Sequence, residues 1–231
     1  MHTLLSLQNI GLTFNASYRP FSRKKSVLLR EVTFDLYSGE TLGIVGRNGA
    51  GKSSLLKVMA GVYQPTQGHI KNRASSVALL NLQLGFDENL DAYDNIVLSG
   101  MLAGHSKSEM KQSSKAIIAF SELGEAANHP LRSYSTGMKA RLGFSISTIV
   151  RADITLLDEV LSVGDGHFLD KAERSMREMI NSQQTAVFVS HDLAKVRELC
   201  DRVCWLEAGC IKDIGETSAI MNKYEPYIHG N

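Results

Sequence analysis

At 231 residues, 43% hydrophobic and 21% charged, the chain suits one large domain, or one domain with a smaller subdomain, around a sizeable core. Its 25 basic and 24 acidic residues balance, so overall charge gives no support for a nucleic-acid binder, and the basic run Arg19, Arg23, Lys24 and Lys25 reads as a solvated loop. No stretch approaches the roughly 18 apolar residues that span a bilayer. Met1 to Ile10 lacks the charged-then-apolar order of a signal peptide, so any membrane crossing is expected to fall to another chain.

Along the chain, Leu4 to Ile10 and Val32 to Leu36 alternate apolar and polar residues and predict strands, with a polar, basic loop from Asn15 to Ser26 between them. Tyr37-Ser38-Gly39-Glu40 predicts a turn into Thr41 to Val45, a short apolar strand. A glycine-rich loop follows, then a helix from about Ser53 to Ala60. Its Leu55, Leu56 and Met59 share a face, and Gly61 suits its end. Val77 to Leu80 predicts another strand. From Asp91 to Val150 the pattern turns helical, over Asp94 to Leu102, Glu109 to Ser121 and Met138 to Ile149, with breaks at Gly104-His105-Ser106 and His129-Pro130. Strands and helices then alternate again. Ile154 to Leu157 and Ala186 to Val189 predict strands, Lys171 to Ile180 and His191 to Cys200 helices, and Val203 to Leu206 with Ile211 to Ile214 a hairpin around Glu207-Ala208-Gly209. The three cysteines, Cys200, Cys204 and Cys210, are odd in number and have no C-x-x-C spacing, so they read as buried free thiols of a reducing compartment.

The predicted organisation is one α/β domain over 1–231, with a core of 1–90 and 151–215, a helical insert of 91–150 and a tail of 216–231. Open α/β sheets bind ligands at the carboxyl ends of their strands, and most of the motifs lie there. Gly46-Arg47-Asn48-Gly49-Ala50-Gly51-Lys52-Ser53 matches G-x-x-x-x-G-K-[ST] between a strand and a helix, with Ser54 next in line. The glycines let backbone N–H groups fold around phosphate oxygens, and the helix N-terminus adds partial positive charge. Lys52 is expected to reach the β- and γ-phosphates and Ser53 to ligate Mg²⁺. This motif alone fits an NTPase or a kinase.

The strand Ile154 to Leu157 ends in Asp158-Glu159. Asp158 is expected near the metal, usually through water, and Glu159 is expected to act as general base toward an attacking water. Small-molecule kinases do not need that base, so the pair favours hydrolysis. His191, after the strand Ala186 to Val189, either contacts the γ-phosphate or attacking water, or caps the next helix. Ser135 and Gly137, within Tyr134-Ser135-Thr136-Gly137-Met138, begin a helix, where they make either a second anion site or an ordinary cap.

Taken together, these motifs resemble the ABC ATPase family across essentially the whole chain. The implied fold is an α/β, P-loop NTPase (RecA-like) core with an antiparallel β subdomain and a helical insert. The family's signature reads roughly Leu-Ser-Gly-Gly-Gln, and only the Ser and the second Gly survive here. The Tyr134-to-Met138 variant, Arg141-Leu142, Asp158-Glu159-Val160-Leu161-Ser162-Val163-Gly164-Asp165, Leu84-Gly85-Phe86 and Asn95-Ile96 are similar to the polysaccharide-exporting branch. That branch handles O-antigen, capsule or teichoic acid. The resemblance implies a homodimer paired head to tail, with ATP between the phosphate loop of one copy and Ser135 and Gly137 of the other. It also implies Asp165 in a loop acting across the dimer, and a separate transmembrane permease docked on the helical insert at the cytoplasmic face of the inner membrane. Gln83 or Asn81 would sense the permease, with Gln83 also near the metal, and Phe14 or Tyr18 would stack on adenine. Two rivals explain less. A repair-type soluble ABC ATPase needs a long coiled coil, and the stretch from Gln83 to Ser135 has no sustained heptads. A P-loop kinase leaves Glu159 and Ser135 without a role.

Overall fold

The computed structural model describes residues 2–15, 25–80, 85–150, 152–158, 166–182 and 184–230. In chain order its elements are β1 (Thr3–Asn15), β2 (Lys25–Tyr37), β3 (Thr41–Val45), α1 (Lys52–Met59), β4 (Gln67–Asn72), β5 (Val77–Leu80), α2 (Ala92–Leu102), α3 (Lys107–Ser121), α4 (Thr136–Ile149), β6 (Ile154–Asp158), α5 (Gly166–Asn181), β7 (Thr185–Val189), α6 (Leu193–Leu199), β8 (Arg202–Glu207), β9 (Cys210–Glu216) and α7 (Thr217–His229). Short 3-10 turns at Gly124–Asn128 and Leu131–Ser133 lead into α4. The chain forms two compact units, Met1–Ala74 with Gln183–Asn231, and Ser75–Ser182.

The first unit carries the antiparallel sheet β2-β1-β4 and the strands β7-β3-β8-β9, parallel except for the β8–β9 hairpin. All five residues of β3 are buried, as expected of a central parallel strand covered on both faces. β1 and β2 run well beyond the predicted strands. Asn9 and Glu31 have φ of 52° and 49°, and the β1–β2 register shifts between Leu7 and Ile10. Such irregularities reset the alternation that sequence patterning relies on. The Tyr37–Glu40 turn forms as predicted. Glu40 is buried and accepts from Tyr37 N at 2.7 Å and from Arg202 Nη1 at 3.0 Å. The predicted tail is instead the helix α7, whose Ile220, Met221 and Tyr224 are buried and which packs on α6, β8 and β9.

The second unit carries the parallel pair β5–β6, with Val77 opposite Ile154, and the helices α2 to α5. Its core gathers Ile96, Met110, Ile117, Leu131, Tyr134, Leu142 and Ile146. Gly100 lets α3 come close to α2, since an added Cβ would lie 2.2 Å from Met110 Sδ. Asn95 is fully buried. Its Oδ1 accepts from Asp87 N at 2.8 Å and its amide donates to Asp91 O at 2.8 Å, which pins the approach to α2. Phe120, Phe144 and Phe168 tie α3, α4 and α5 together through ring contacts of 5.9 to 6.2 Å. Among the described residues no helix is long and apolar enough to cross a membrane.

Candidate nucleotide site

β3 delivers the chain into the phosphate loop. At Gly46 an added Cβ would lie 2.2 Å from Leu206 O, so β8 leaves room only for glycine. Gly49 and Gly51 have φ of 81° and 105°, which other residues adopt only at a cost. Gly51 is the N-cap of α1 and has no side chain to offer the helix. By contrast, α2, α3, α4, α6 and α7 are capped by Asp91, Ser106, Ser135, Asp192 and Glu216. Among the α-helices whose N-caps are described, α1 alone has no side-chain oxygen capping its first N–H groups and positive dipole end. Lys52 is 8% exposed, and its ammonium donates to Gly46 O at 2.7 Å and to Arg47 O at 3.3 Å. Arg47, Asn48, Gly49 and Ser53 are exposed, Ser54 is half-buried and Ala50 is buried.

Two long-range contacts brace this loop and leave no trace in local sequence pattern. Gly209, in the β8–β9 turn, donates to Ala50 O at 3.0 Å and accepts from Arg30 N at 2.8 Å. The Arg47 guanidinium lies 4.9 Å from the centre of the Tyr227 ring of α7.

Asp158 ends β6 half-buried, in the second unit. Glu159, Asp165, Asn81, Gln83 and Tyr18 lie outside the described residues. His191 is exposed and precedes α6 without capping it. The cap is Asp192, which accepts from Ala194 N and Lys195 N at 3.1 and 3.2 Å. Asp192 wins because its short carboxylate reaches the second and third N–H groups of the helix from the N-cap position. Phe14 is 41% exposed and meets Tyr63 edge-to-face at 5.2 Å. Of the cysteines, Cys200 and Cys204 are buried, and burial pushes both thiols up to about 12. Cys210 is exposed, against expectation, because it opens β9 beside the hairpin turn.

The Tyr134-to-Met138 stretch divides its labour. Tyr134 is buried in the helical core, and its hydroxyl donates to Ala126 O at 2.6 Å. Burial, and then the charge of Asp91, push that hydroxyl up to about 12. Ser135 is exposed and caps α4, accepting from Met138 N at 3.2 Å. Gly137 is half-buried, and an added Cβ there would meet only Ser135 Oγ, at 3.8 Å. Packing within the described chain therefore does not require a glycine at this position.

Residues 29–162 match the family model described as ABC transporter, and the chain belongs to that family. Among curated proteins, it is 40% identical over 202 residues to the O-antigen export system ATP-binding protein RfbB of Klebsiella pneumoniae, covering 87% of this chain and 82% of that one. It is 37% identical over 223 residues to the teichoic acids export ATP-binding protein TagH of Listeria innocua, covering 96% and 66%. An RfbB from Myxococcus xanthus is 39% identical over 209 residues, covering 90% of this chain but 48% of its own length. The chain thus spans about half to two thirds of several relatives it matches. A solved ATP-binding subunit of an ABC transporter superposes with a TM-score of 0.79 at 22% identity, covering 96% of this chain and 94% of that one. An ATP-binding cassette solved as a dimer, in a post-hydrolysis state with ADP and Pi, gives 0.75 at 20%, covering 92% and 98%. Both establish the ABC ATPase fold.

Proposed function

We propose that the chain is the ATP-hydrolysing subunit of an exporter of lipid-linked polysaccharide, with O-antigen as the leading substrate. The observation that carries the nucleotide reading is the start of α1, where the left-handed N-cap Gly51, a second left-handed glycine at Gly49 and a buried Lys52 converge without a capping side chain. That is the chemistry of a polyphosphate cradle. Backbone N–H groups of residues 46–54 would hold the phosphates, Lys52 would neutralise them, and Phe14, exposed in the same unit, would stack on adenine. Mg²⁺ takes few protein ligands and keeps its waters and phosphate oxygens, which a hydroxyl and a single carboxylate can serve. Ser53 and, through water, Asp158 would hold it, with Gln83 nearby, and the bound ion supplies charge neutralisation. Glu159 would accept the proton of the attacking water, and His191 would contact the γ-phosphate.

The room at Gly137 supports a second contact for this nucleotide from another copy of the chain, because a glycine free of internal crowding suits close approach by an outside group. We assign the pairing as a head-to-tail homodimer, and the helical segment 91–150 as the part that presents Ser135. On α2, Tyr93, Met101 and Leu102 are exposed apolar side chains, which supports docking of a separate membrane permease on this segment at the cytoplasmic face. The names of the Klebsiella and Myxococcus relatives favour O-antigen, and that of the Listeria relative favours teichoic acid as the second reading.

A deletion strain separates these readings. It should still make the glycan but fail to display it, with lipid-linked chains accumulating in the cytoplasm, and Lys52→Ala should not restore display. The accumulated glycan's chemistry identifies the cargo. Normal surface glycan, with loss of an imported nutrient instead, would overturn the export assignment.

A further inference from the structure

We propose that Tyr227 of α7 is a positioning residue for the phosphate loop, acting through Arg47, and that nucleotide binding is thereby transmitted to the C-terminal helix. The proposal rests on the nucleotide reading above and adds to it an element remote in sequence. Arg47 is the second residue of the loop, and its guanidinium lies 4.9 Å from the Tyr227 ring centre. This is the range in which a cation is held by an aromatic face. The same ring is gripped on several sides. Lys212 Nζ lies 4.2 Å from its centre, the Trp205 ring lies 4.8 Å away, and the Tyr227 hydroxyl donates to Glu207. Glu207 also pairs with Lys212 at 2.8 Å, and Lys212 lies 4.4 Å from the centre of the Trp205 ring. One turn earlier on α7, Tyr224 is 4% exposed and packs edge-to-face on Trp205 at 5.3 Å. Burial pushes the Tyr224 hydroxyl up, against the opposing pull of Arg47 and the Gly46 backbone.

α7 itself is fastened down. Arg197 binds Glu225 at 2.6 Å and Asn222 at 2.9 Å, Lys223 binds Asp213 at 2.6 Å, and Thr217 donates to Cys200 O at 2.6 Å. A fixed helix therefore presents an aromatic face to a loop whose other side chains at 48 and 53 are exposed. Glycine-rich loops lose much conformational freedom on ordering, so a fixed contact at Arg47 reduces what phosphate binding must still order. The chain has one tryptophan, and it lies inside this cluster, so its emission reports the cluster directly.

The test uses the whole protein and MgATP. Binding to the wild type is first measured by calorimetry, which does not depend on Trp205. Tyr227→Leu keeps bulk but removes the aromatic face and should weaken MgATP by about three- to tenfold, whereas Tyr227→Phe should stay within about twofold. Arg47→Met should weaken binding similarly, and the double variant should be no weaker than the worse single. Trp205 emission should change on saturating the wild type with MgATP. It should stay still in Arg47→Met, whose exposed loop position keeps the fold intact even if Tyr227→Leu misfolds. A merely structural Tyr227 would lower Tm and leave the affinity of the folded protein unchanged. Wild-type protein that binds MgATP with silent Trp205 emission, or variants that bind as tightly as wild type, would overturn this inference alone. Wild-type protein that binds no MgATP would overturn the nucleotide reading and this inference with it.

Discussion

Helices α1 and α4 begin with related chemistry and opposite arrangements. α1 starts on Gly51, with no side-chain cap and with Lys52 folded back onto the loop carbonyls. α4 starts on Ser135, which already satisfies Met138 N, and is anchored one residue earlier by buried Tyr134. A bare helix start surrounded by glycine can bind an anion by itself. A start whose N–H is shared with its own serine can only complete a site whose affinity comes from elsewhere. The difference supports the proposed division, with primary nucleotide binding at α1 and a secondary, completing contact at α4.

Lys52→Ala attacks the α1 half and carries the largest expected effect. Losing its ammonium should lower hydrolysis by roughly 10²–10³-fold, as removal of a single charge-stabilising donor does elsewhere. Steady-state phosphate release measures this, and turnover near wild type would remove Lys52 from the site. Gly137→Asp attacks the α4 half. The chain has room for the side chain, and a carboxylate suits a helix start, so Tm should hold. Hydrolysis should fall by about tenfold or more, because a like charge would face the incoming phosphate. Unchanged turnover would reduce α4's start to an ordinary cap.

Tyr134→Phe sharpens the claim that Tyr134 is an anchor. Losing its bond to Ala126 O should cost about 1 kcal/mol and lower Tm by roughly 2–4 °C, with hydrolysis preserved where the protein stays folded. The pH sign follows from the raised hydroxyl. The folded state holds this proton more tightly than the unfolded chain, so the contribution is complete below pH 10. It declines as pH rises from 10.0 towards about 12, and thermal melts across that window should show less decline in Tyr134→Phe. The smallest effect concerns thiols. Cys210 should react quickly with a disulfide reagent in native protein, while Cys200 and Cys204, buried and held as neutral thiols, should react only after denaturation.

Much of the core was legible because β3, β5, β6 and β7 are short apolar runs whose limits coincide with polar or glycine breaks. The phosphate loop was legible because its chemistry is local. β4 was not, since Gln67–Asn72 is almost wholly exposed and exists through pairing with β1, with Leu7 opposite Ile70. α7 was missed because it is polar around three buried hydrophobic residues, Ile220, Met221 and Tyr224, and has Pro226 inside it, a residue that usually marks a break. The contacts Gly209–Ala50 and Arg47–Tyr227 join residues far apart in sequence, which no periodicity reports. At Ser135 the sequence left a cap and an anion site as alternatives. The cap is present, and the open space at Gly137 is compatible with the completing role proposed for this helix start.

That completing role is tested most directly by the mass of the nucleotide-bound protein. Glu159→Gln, which cannot accept the water's proton, should keep MgATP intact and shift to twice the monomer mass by light scattering, with no shift in the absence of nucleotide. Adding Ser135→Arg fills the contact offered to the other copy, and the same protein with MgATP should remain monomeric. A doubled mass that persists with Ser135→Arg would contradict the assignment of α4 to a second copy's nucleotide.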